Sequence, residues 1–257
     1  MTARRSTRTS RQPAAAPAPA APSAAERART VATCSAAWVH TLGEGTAPVL
    51  AATTTAAGDV LLVVPRSGGL AAAVRRSPLG DLPARLTVTR RTVLPLRDPV
   101  RGQLELVGWL TPVPHDEEAA LVLDFADACP ADVLLDVGLT ACLLRLDLAE
   151  VLLTEGAGCT EVDPAEFAAA RPDPLAADEV DLLGEHARPL AELCARVRLW
   201  AGEDDGVHLL GVDRFGILFR VECPASRYDL RVPFPAAVAD RPALGAALDD
   251  LLRCARA

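Results

Sequence analysis

The sequence predicts an α+β protein in which an antiparallel β-barrel precedes a small α-β-β-β-α domain. One observation is the stretch 207–235, where Ile217, Phe219 and Val221 alternate with polar residues, as do Tyr228 and Leu230. A period of two indicates half-buried antiparallel strands. A second observation is a series of short strand-like segments before residue 155. Their close spacing is typical of an antiparallel barrel.

The first predicted domain covers residues 24–170 and follows a tail over residues 1–23. This Arg/Ala/Pro-rich tail cannot bury a core, so we expect it to be disordered. We predict a helix over 24–40, with Ser23 as its N-cap. Alternation and apolar spacing predict further helices over 70–76 and 114–128, and strands over 47–53, 59–64, 85–94, 104–110, 140–146 and 150–154.

The second predicted domain covers residues 171–257. A short helix begins at Asp163, and the Arg-Pro-Asp-Pro run at 171–174 is a linker. A helix is expected over 180–197, bent at Pro189. The three strands of the stretch 207–235 follow, and Asp240 caps a closing helix.

Composition excludes several classes of protein. The 257 residues carry a net charge of −8, and four of the arginines stand in the tail, so the remainder is more acidic still. Such a body lacks the clustered cations that nucleic-acid binding requires. No apolar run reaches the ~20 residues of a membrane span, and no apolar segment follows the N-terminal arginines. The seven cysteines form no paired motif and are expected to be reduced thiols. We therefore expect a cytoplasmic protein.

Several motifs in the second half occur in a characteristic order. They are Val-Asp-Pro-Ala-Glu-Phe at 162–167, Leu-Gly-Glu-His at 183–186, Gly-Val-Asp-Arg-Phe-Gly at 211–216 and Leu-Arg-Val-Pro-Phe-Pro at 230–235. In this order the chain resembles the split-barrel haem-utilisation proteins over residues 26–255. These are relatives of pyridoxamine-phosphate oxidase that carry a C-terminal domain of unknown function.

The resemblance implies a split, FMN-binding-like β-barrel that forms a homodimer. It also implies binding of haem or flavin mononucleotide, or a regulatory role in tetrapyrrole synthesis. Two segments depart from the family pattern. The family's Ser-Arg-Leu-x-x-His-Thr-x-Asn-Leu becomes Pro-Arg-Ser-Gly-Gly-Leu-Ala-Ala-Ala-Val at 65–74, which keeps only the arginine and the final position's apolar character. The family's Asn-Glu-Asp-His becomes Leu-Gly-Glu-His.

Two kinds of cofactor site are predicted. Arg66, Ser67 and Arg75 offer the cationic and hydroxyl donors that a flavin phosphate needs. His186 and His208 are the candidate axial ligands of haem iron, which takes His, Cys, Met or Tyr. Ordinary exposed arginines and structural histidines would explain the same residues. No metal-binding or catalytic motif occurs, such as His-Glu-x-x-His or Gly-x-Ser-x-Gly.

Three functions therefore stay open. The first is a protein that binds haem or a related tetrapyrrole, or regulates tetrapyrrole synthesis. The second is a flavin-dependent oxidoreductase or a haem-degrading enzyme. The third is a dimeric module that keeps the fold and binds no cofactor. The sequence does not decide whether the protein is an enzyme.

Overall fold

A computed structural model describes residues 21–33, 36–43, 45–92, 94, 96–156 and 158–254, so most of the predicted tail lies outside the described residues. The first half forms a curled antiparallel sheet with strands in the order β2-β1-β5-β6-β7-β4-β3, and β8 pairs with β7. β1 contacts β3 across the curl. Its strands are β1 (Ala36–Thr41), β2 (Gly45–Pro48), β3 (Ala51–Thr54), β4 (Val60–Pro65), β5 (Leu82–Arg91), β6 (Val100–Pro112), β7 (Ala141–Glu155) and β8 (Gly158–Val162). A mixed fold with a curled antiparallel sheet is thereby confirmed.

The helices of this half flank the sheet. They are α1 (Ala24–Ala32), α2 (Gly69–Arg76), α3 (His115–Ala128) and α4 (Pro164–Ala169), with a 3-10 helix at Asp132–Asp136. The N-cap prediction for Ser23 is confirmed, because its hydroxyl accepts the amide of Glu26 at 3.1 Å. The Glu26 carboxylate accepts the Ser23 amide in return, at 2.8 Å. This reciprocal pair satisfies two amides that a helix start leaves free.

Three predicted elements in this half have wrong boundaries. The strand expected over 47–53 is two strands, β2 and β3, which lie at opposite ends of the strand order. The helix expected over 24–40 ends at Ala32, and β1 follows at Ala36–Thr41. In β1 the residues Ala37, Val39 and Thr41 are buried, whereas Trp38 and His40 are exposed. This period of two overrides the weaker helical spacing.

The two strands expected over 140–146 and 150–154 are one strand, β7. A register shift lies between Val107, opposite Glu150, and Gly108, opposite Leu148. The bulge accommodates the residues between the two predicted strands. Gly108 is required there, because a Cβ at this position would collide with the carbonyl oxygen of Asp147.

The second half contains a separate three-stranded sheet. Its strands are β9 (Gly206–Asp213), β10 (Gly216–Glu222) and β11 (Arg227–Pro233), in the order β11-β10-β9. Three helices, α5 (Glu179–Glu185), α6 (Ala187–Arg198) and α7 (Arg241–Cys254), accompany it. The predicted bend at Pro189 is instead a break at His186. The ring of a helical proline clashes with the carbonyl four residues earlier, so Pro189 is tolerated only in the first turn of α6.

The buried apolar residues form separate clusters. One fills the curled sheet, and another lies between α3 and the outer side of β4 and β7. Their residues end at Ala170. The cluster between the three-stranded sheet and α5–α7 begins at Leu175. The predicted domain boundary near residue 171 falls between these clusters and stays a prediction.

Five cysteines of the described residues are free: Cys142, Cys159, Cys194, Cys223 and Cys254. Burial raises the pKa of the Cys142 and Cys194 thiols, so these two are weak nucleophiles. Cys129, by contrast, is disulfide-bonded. The expectation that every cysteine is a reduced thiol is therefore wrong for Cys129.

Candidate functional site

A cleft of about 520 Å³ lies between the end of the curled sheet and the three-stranded sheet. Pockets for small ligands and cofactors typically measure ~300–1,000 Å³, so the cleft is large enough for one. Its walls come from α1, the ends of β5–β7, the segment after α4 and the strands β9–β11. Apolar residues from these elements line it: Val31, Leu210, Val212, Leu218 and Leu230.

Arg220 joins the two sides of the cleft. It is 1% exposed, and its guanidinium donates to both carboxylate oxygens of Asp229 at 2.8 and 3.0 Å. Its Nη1 donates to the carbonyl oxygens of Asp98, at 2.6 Å, and Val100, at 3.0 Å. Asp98 lies in the connection between β5 and β6, and Val100 is the first residue of β6. Arg220 thus holds the three-stranded sheet against the curled sheet. Its buried guanidinium is stabilised there by the Asp229 carboxylate and the two carbonyl oxygens.

Glu179 makes a second connection at the back of the cleft. Its carboxylate accepts hydrogen bonds from Arg90 at 2.8 Å and from Arg101 at 2.5 and 2.6 Å. It also accepts the backbone amide of Val212 at 3.0 Å. Burial by itself raises the pKa of Glu179, but the charges of Arg101 and Arg90 outweigh it and hold that pKa below its ordinary value. Gly211 leaves room for this group, because a Cβ there would collide with Arg101 and Glu179.

The lining of the cleft is rich in arginines, and most of them are paired with carboxylates. Arg27 Nε lies 2.7 Å from Glu155 Oε2, and Arg214 pairs with Glu26. Arg90 and Arg101 both pair with Glu179. Arg227 pairs with Asp98, and Arg231 pairs with Asp213. Arg171 donates to the carbonyl oxygen of Ala56 and pairs with no carboxylate of the described residues. A cleft with apolar patches and guanidinium groups suits an apolar molecule that carries an anionic group.

Asp173 organises the cleft wall after α4. Burial raises its pKa, although the amides of Arg214 and Leu175 donate to its carboxylate at 3.0 and 2.9 Å and oppose that rise. Its own amide donates to Thr30 Oγ1 at 2.8 Å. Asp173 therefore ties α1 to the turn between β9 and β10 through neutral donors.

Three of the predicted site residues lie together, away from the cleft. Arg66 and Ser67 are exposed on the connection from β4 to α2, and Arg75 is exposed in the last turn of α2. Arg75 Nη2 donates to the carbonyl oxygen of Arg66 at 3.2 Å, and Arg66 Nη1 donates to that of Gly138 at 2.7 Å. The two guanidinium groups thus share one surface. Their role in binding a phosphate stays a prediction.

The two predicted histidines lie apart from each other and from the cleft lining. His186 stands between α5 and α6, where its ring faces Gly245 of α7. His208 is on β9, and its Nε2 lies 3.8 Å from Glu222 Oε2. Their role as haem ligands also stays a prediction.

Sequence reasoning missed the cleft itself. The partners of its arginines are distant in sequence. Glu179 is 89 positions from Arg90, for example. The only local signal was the alternation of Arg227, Asp229 and Arg231 along one strand. Within the described part of the chain, no group of three or more His, Cys, Asp or Glu side chains is placed to hold a metal ion. No helix of that part is both long and apolar enough to span a membrane.

No protein-family model and no curated protein matches the sequence. Among solved structures, a haem-binding protein from Mycobacterium smegmatis is similar over 92% of this chain and 99% of its own, with 25% identity and a TM-score of 0.59. The protein Atu2129 of unknown function from Agrobacterium tumefaciens covers 88% of this chain and 94% of its own, at 18% identity and a TM-score of 0.42. An FAD- and haem-binding protein from Mycobacterium smegmatis is similar over 57% of this chain and 78% of its own, with 14% identity and a TM-score of 0.39. Only the first is similar enough to show a shared fold, and it does so over both halves of the chain.

Proposed function

We propose that the protein binds haem or a related tetrapyrrole in the cleft. The observation that carries this proposal is a cofactor-sized cleft lined by apolar residues and arginines. Support comes from the full-length similarity to a haem-binding protein. A porphyrin has an apolar ring and carboxylate arms, so the ring suits residues such as Leu210 and Leu218. Arg171, whose guanidinium pairs with no carboxylate of the described residues, suits an arm. When bound, haem supplies an iron centre for ligand binding or electron transfer.

The first test is a haem titration monitored by absorption in the Soret region. Leu218 stands on β10 in the cleft lining, so Leu218→Trp places an indole in the space a porphyrin needs. We expect the wild-type protein to bind haem and Leu218→Trp to lose binding. Leu123→Trp is the matched control, because Leu123 is 68% exposed on α3 and outside the cleft lining. If the wild-type protein and Leu218→Trp bind haem with equal affinity, the haem site lies outside the cleft. No binding by wild type would refute the proposal.

A second candidate is flavin binding at Arg66, Ser67 and Arg75. The specific observation in its favour is that Arg75, in the last turn of α2, donates to the carbonyl oxygen of Arg66, which precedes the helix. Guanidinium groups favour a phosphate. Flavin mononucleotide should then bind with quenching of its fluorescence, and Arg66→Ala should weaken it. Arg253→Ala, an exposed arginine on α7, is the matched control. If the protein binds neither haem nor flavin, the remaining function is that of a dimeric module without a cofactor.

We further propose that the curled sheet is a split barrel that forms a homodimer, as the family resemblance implies. Trp38 and Trp109, which are 50% and 45% exposed, lie on its outer surface and offer apolar area for such a contact. Sedimentation equilibrium should give twice the mass of the 26.9 kDa chain. A monomer at micromolar concentration would contradict this proposal.

A further inference from the structure

Arg29 is a buried cation whose partners are all uncharged. It lies in the last turn of α1 and is 2% exposed. Its Nε donates to the carbonyl oxygen of Ala170 at 3.2 Å, and its Nη2 donates to that of Thr55 at 2.7 Å. The guanidinium also stands over the ring of Phe167, 5.4 Å from the centroid. No carboxylate of the described residues pairs with Arg29.

One nitrogen of the Arg29 guanidinium has no partner at all. A guanidinium carries five N–H donors, and Nη1 of Arg29 is buried without a hydrogen bond in the described part of the chain. The end of α1 and the aromatic ring offset only part of the cost of burying this charge. Burial and the nearby charge of Arg171 lower the pKa of Arg29 to about 10, so the group is still charged at neutral pH. The fold therefore holds a buried positive charge without a counterion.

Arg171 stands beside Arg29 and connects it to the cleft. The two guanidinium groups donate to the carbonyl oxygens of consecutive residues, Thr55 and Ala56, in the turn between β3 and β4. Arg171 is exposed and lines the cleft. Its Nε and Nη2 make no hydrogen bond to the described residues. Two neighbouring cations repel each other, so an anion that lies near both stabilises both.

The other arginines of the described lining differ from this pair, because each has a carboxylate partner. At those positions an incoming anion competes with a resident acid. At Arg171 it meets no such competitor, and the charge of Arg29 adds to the attraction. Charges interact more strongly near a protein interior than in water, so Arg29 contributes without touching the anion.

We infer that Arg171 and Arg29 form an anion-binding subsite of the cleft. Arg171 is the residue that contacts the anion, and Arg29 is the buried charge behind it. The group that binds is a carboxylate or a phosphate, since either accepts two parallel hydrogen bonds from one guanidinium. The inference rests on the proposed function only for the source of this group, which is then a carboxylate arm of the bound tetrapyrrole.

Isothermal titration calorimetry of the full chain with inorganic phosphate, at constant ionic strength, tests the subsite. The wild-type protein should bind one phosphate. Arg171→Gln should bind it at least roughly tenfold more weakly, because a hydrogen bond to a charged group contributes about that factor. Arg253→Gln, which changes an exposed arginine on α7, is the matched control and should bind phosphate like the wild type.

The role of Arg29 is tested by its charge. Arg29→Met removes the charge and should weaken phosphate binding, whereas Arg29→Lys keeps the charge and should retain more of the affinity. A change that only disturbed packing would affect both variants alike. Phosphate should also raise the midpoint of thermal unfolding of the wild type, because it binds the folded state, and should raise that of Arg171→Gln less.

The inference is overturned if phosphate does not bind the wild-type protein, or if it binds Arg171→Gln with the same affinity. It is also overturned if Arg29→Met leaves phosphate affinity unchanged, since the buried charge then has no part in the site. Ferric haem separates this result from the proposed function. Displacement of phosphate by haem supports both. Phosphate binding that depends on Arg171, together with no binding of haem, supports the subsite and refutes the haem function.

Discussion

Replacing Arg220 should destabilise the protein more than replacing any exposed arginine. Arg220→Met keeps the apolar stem and removes four hydrogen bonds, two to Asp229 and two to the carbonyls of Asp98 and Val100. Removing one partner of a buried ion pair costs about 3–5 kcal/mol. Asp229 is 23% exposed and regains some water, so we place the cost at the lower end, about 3 kcal/mol. That is a factor of roughly 150 in the unfolding equilibrium.

Urea unfolding followed by circular dichroism measures this cost. With a slope of about 2–3 kcal/mol per molar urea, the midpoint should fall by about 1 M or slightly more. Arg253→Met is the matched control, because the side chains of Arg253 and Asp250 are 72% and 48% exposed. Such a surface pair contributes at most about 1 kcal/mol. The double variant Arg220→Met with Asp229→Leu removes the unpaired carboxylate and should recover part of the loss.

The reasoning about Arg220 would be refuted by equal midpoints for Arg220→Met and Arg253→Met. It would also be refuted if the double variant lost as much stability as Arg220→Met and Asp229→Leu lose together when measured singly, since the pair would then not be coupled.

Two further predictions concern the pH response and the domain boundary. Glu179 has a pKa below its ordinary value of 4.5, so its ion pairs contribute stability above about pH 4.5, and this contribution is lost as pH falls through the lowered value. The stability difference between wild type and Glu179→Gln should accordingly be largest near neutral pH and shrink in acid; a constant difference in urea titrations from pH 7 to pH 3 would contradict this. The clusters of the curled sheet contain no residue beyond Ala170, so residues 1–171 should fold alone. A cooperative thermal transition by circular dichroism would support the boundary, whereas an unfolded fragment would show that it is wrong.

Much of the local structure could be predicted because its causes act within a few residues. The alternation of Ile217, Phe219 and Val221 sets one face of β10, and each of these side chains is buried. The acids at the start of α3 stand where the helix dipole favours them. The caps of α1 and α4 follow from Ser23 and Asp163, whose side chains accept the amides of the first turns.

Other local features failed where two patterns competed. The sequence predicts a helix through residues 36–40, whereas pairing of Trp38 with Thr87 of β5 makes the segment a strand. The sequence also predicts a break around Ala149, between two strands. Instead, these residues pair with β6 across a bulge and belong to one long strand, β7. In each instance a neighbouring strand supplied the hydrogen bonds that local propensity could not.

The sequence by itself determined the fold class, the strands of the second sheet and the histidines and arginines available for a cofactor. Only the tertiary structure decided where a cofactor-sized cleft lies and which residues line it. One hydrogen bond that joins the two sides of the cleft links Arg220 to Asp98, 122 positions apart. Propensity and periodicity act over one or two turns of chain. Ion pairs and cavities depend on which surfaces meet after folding, and no local pattern records that.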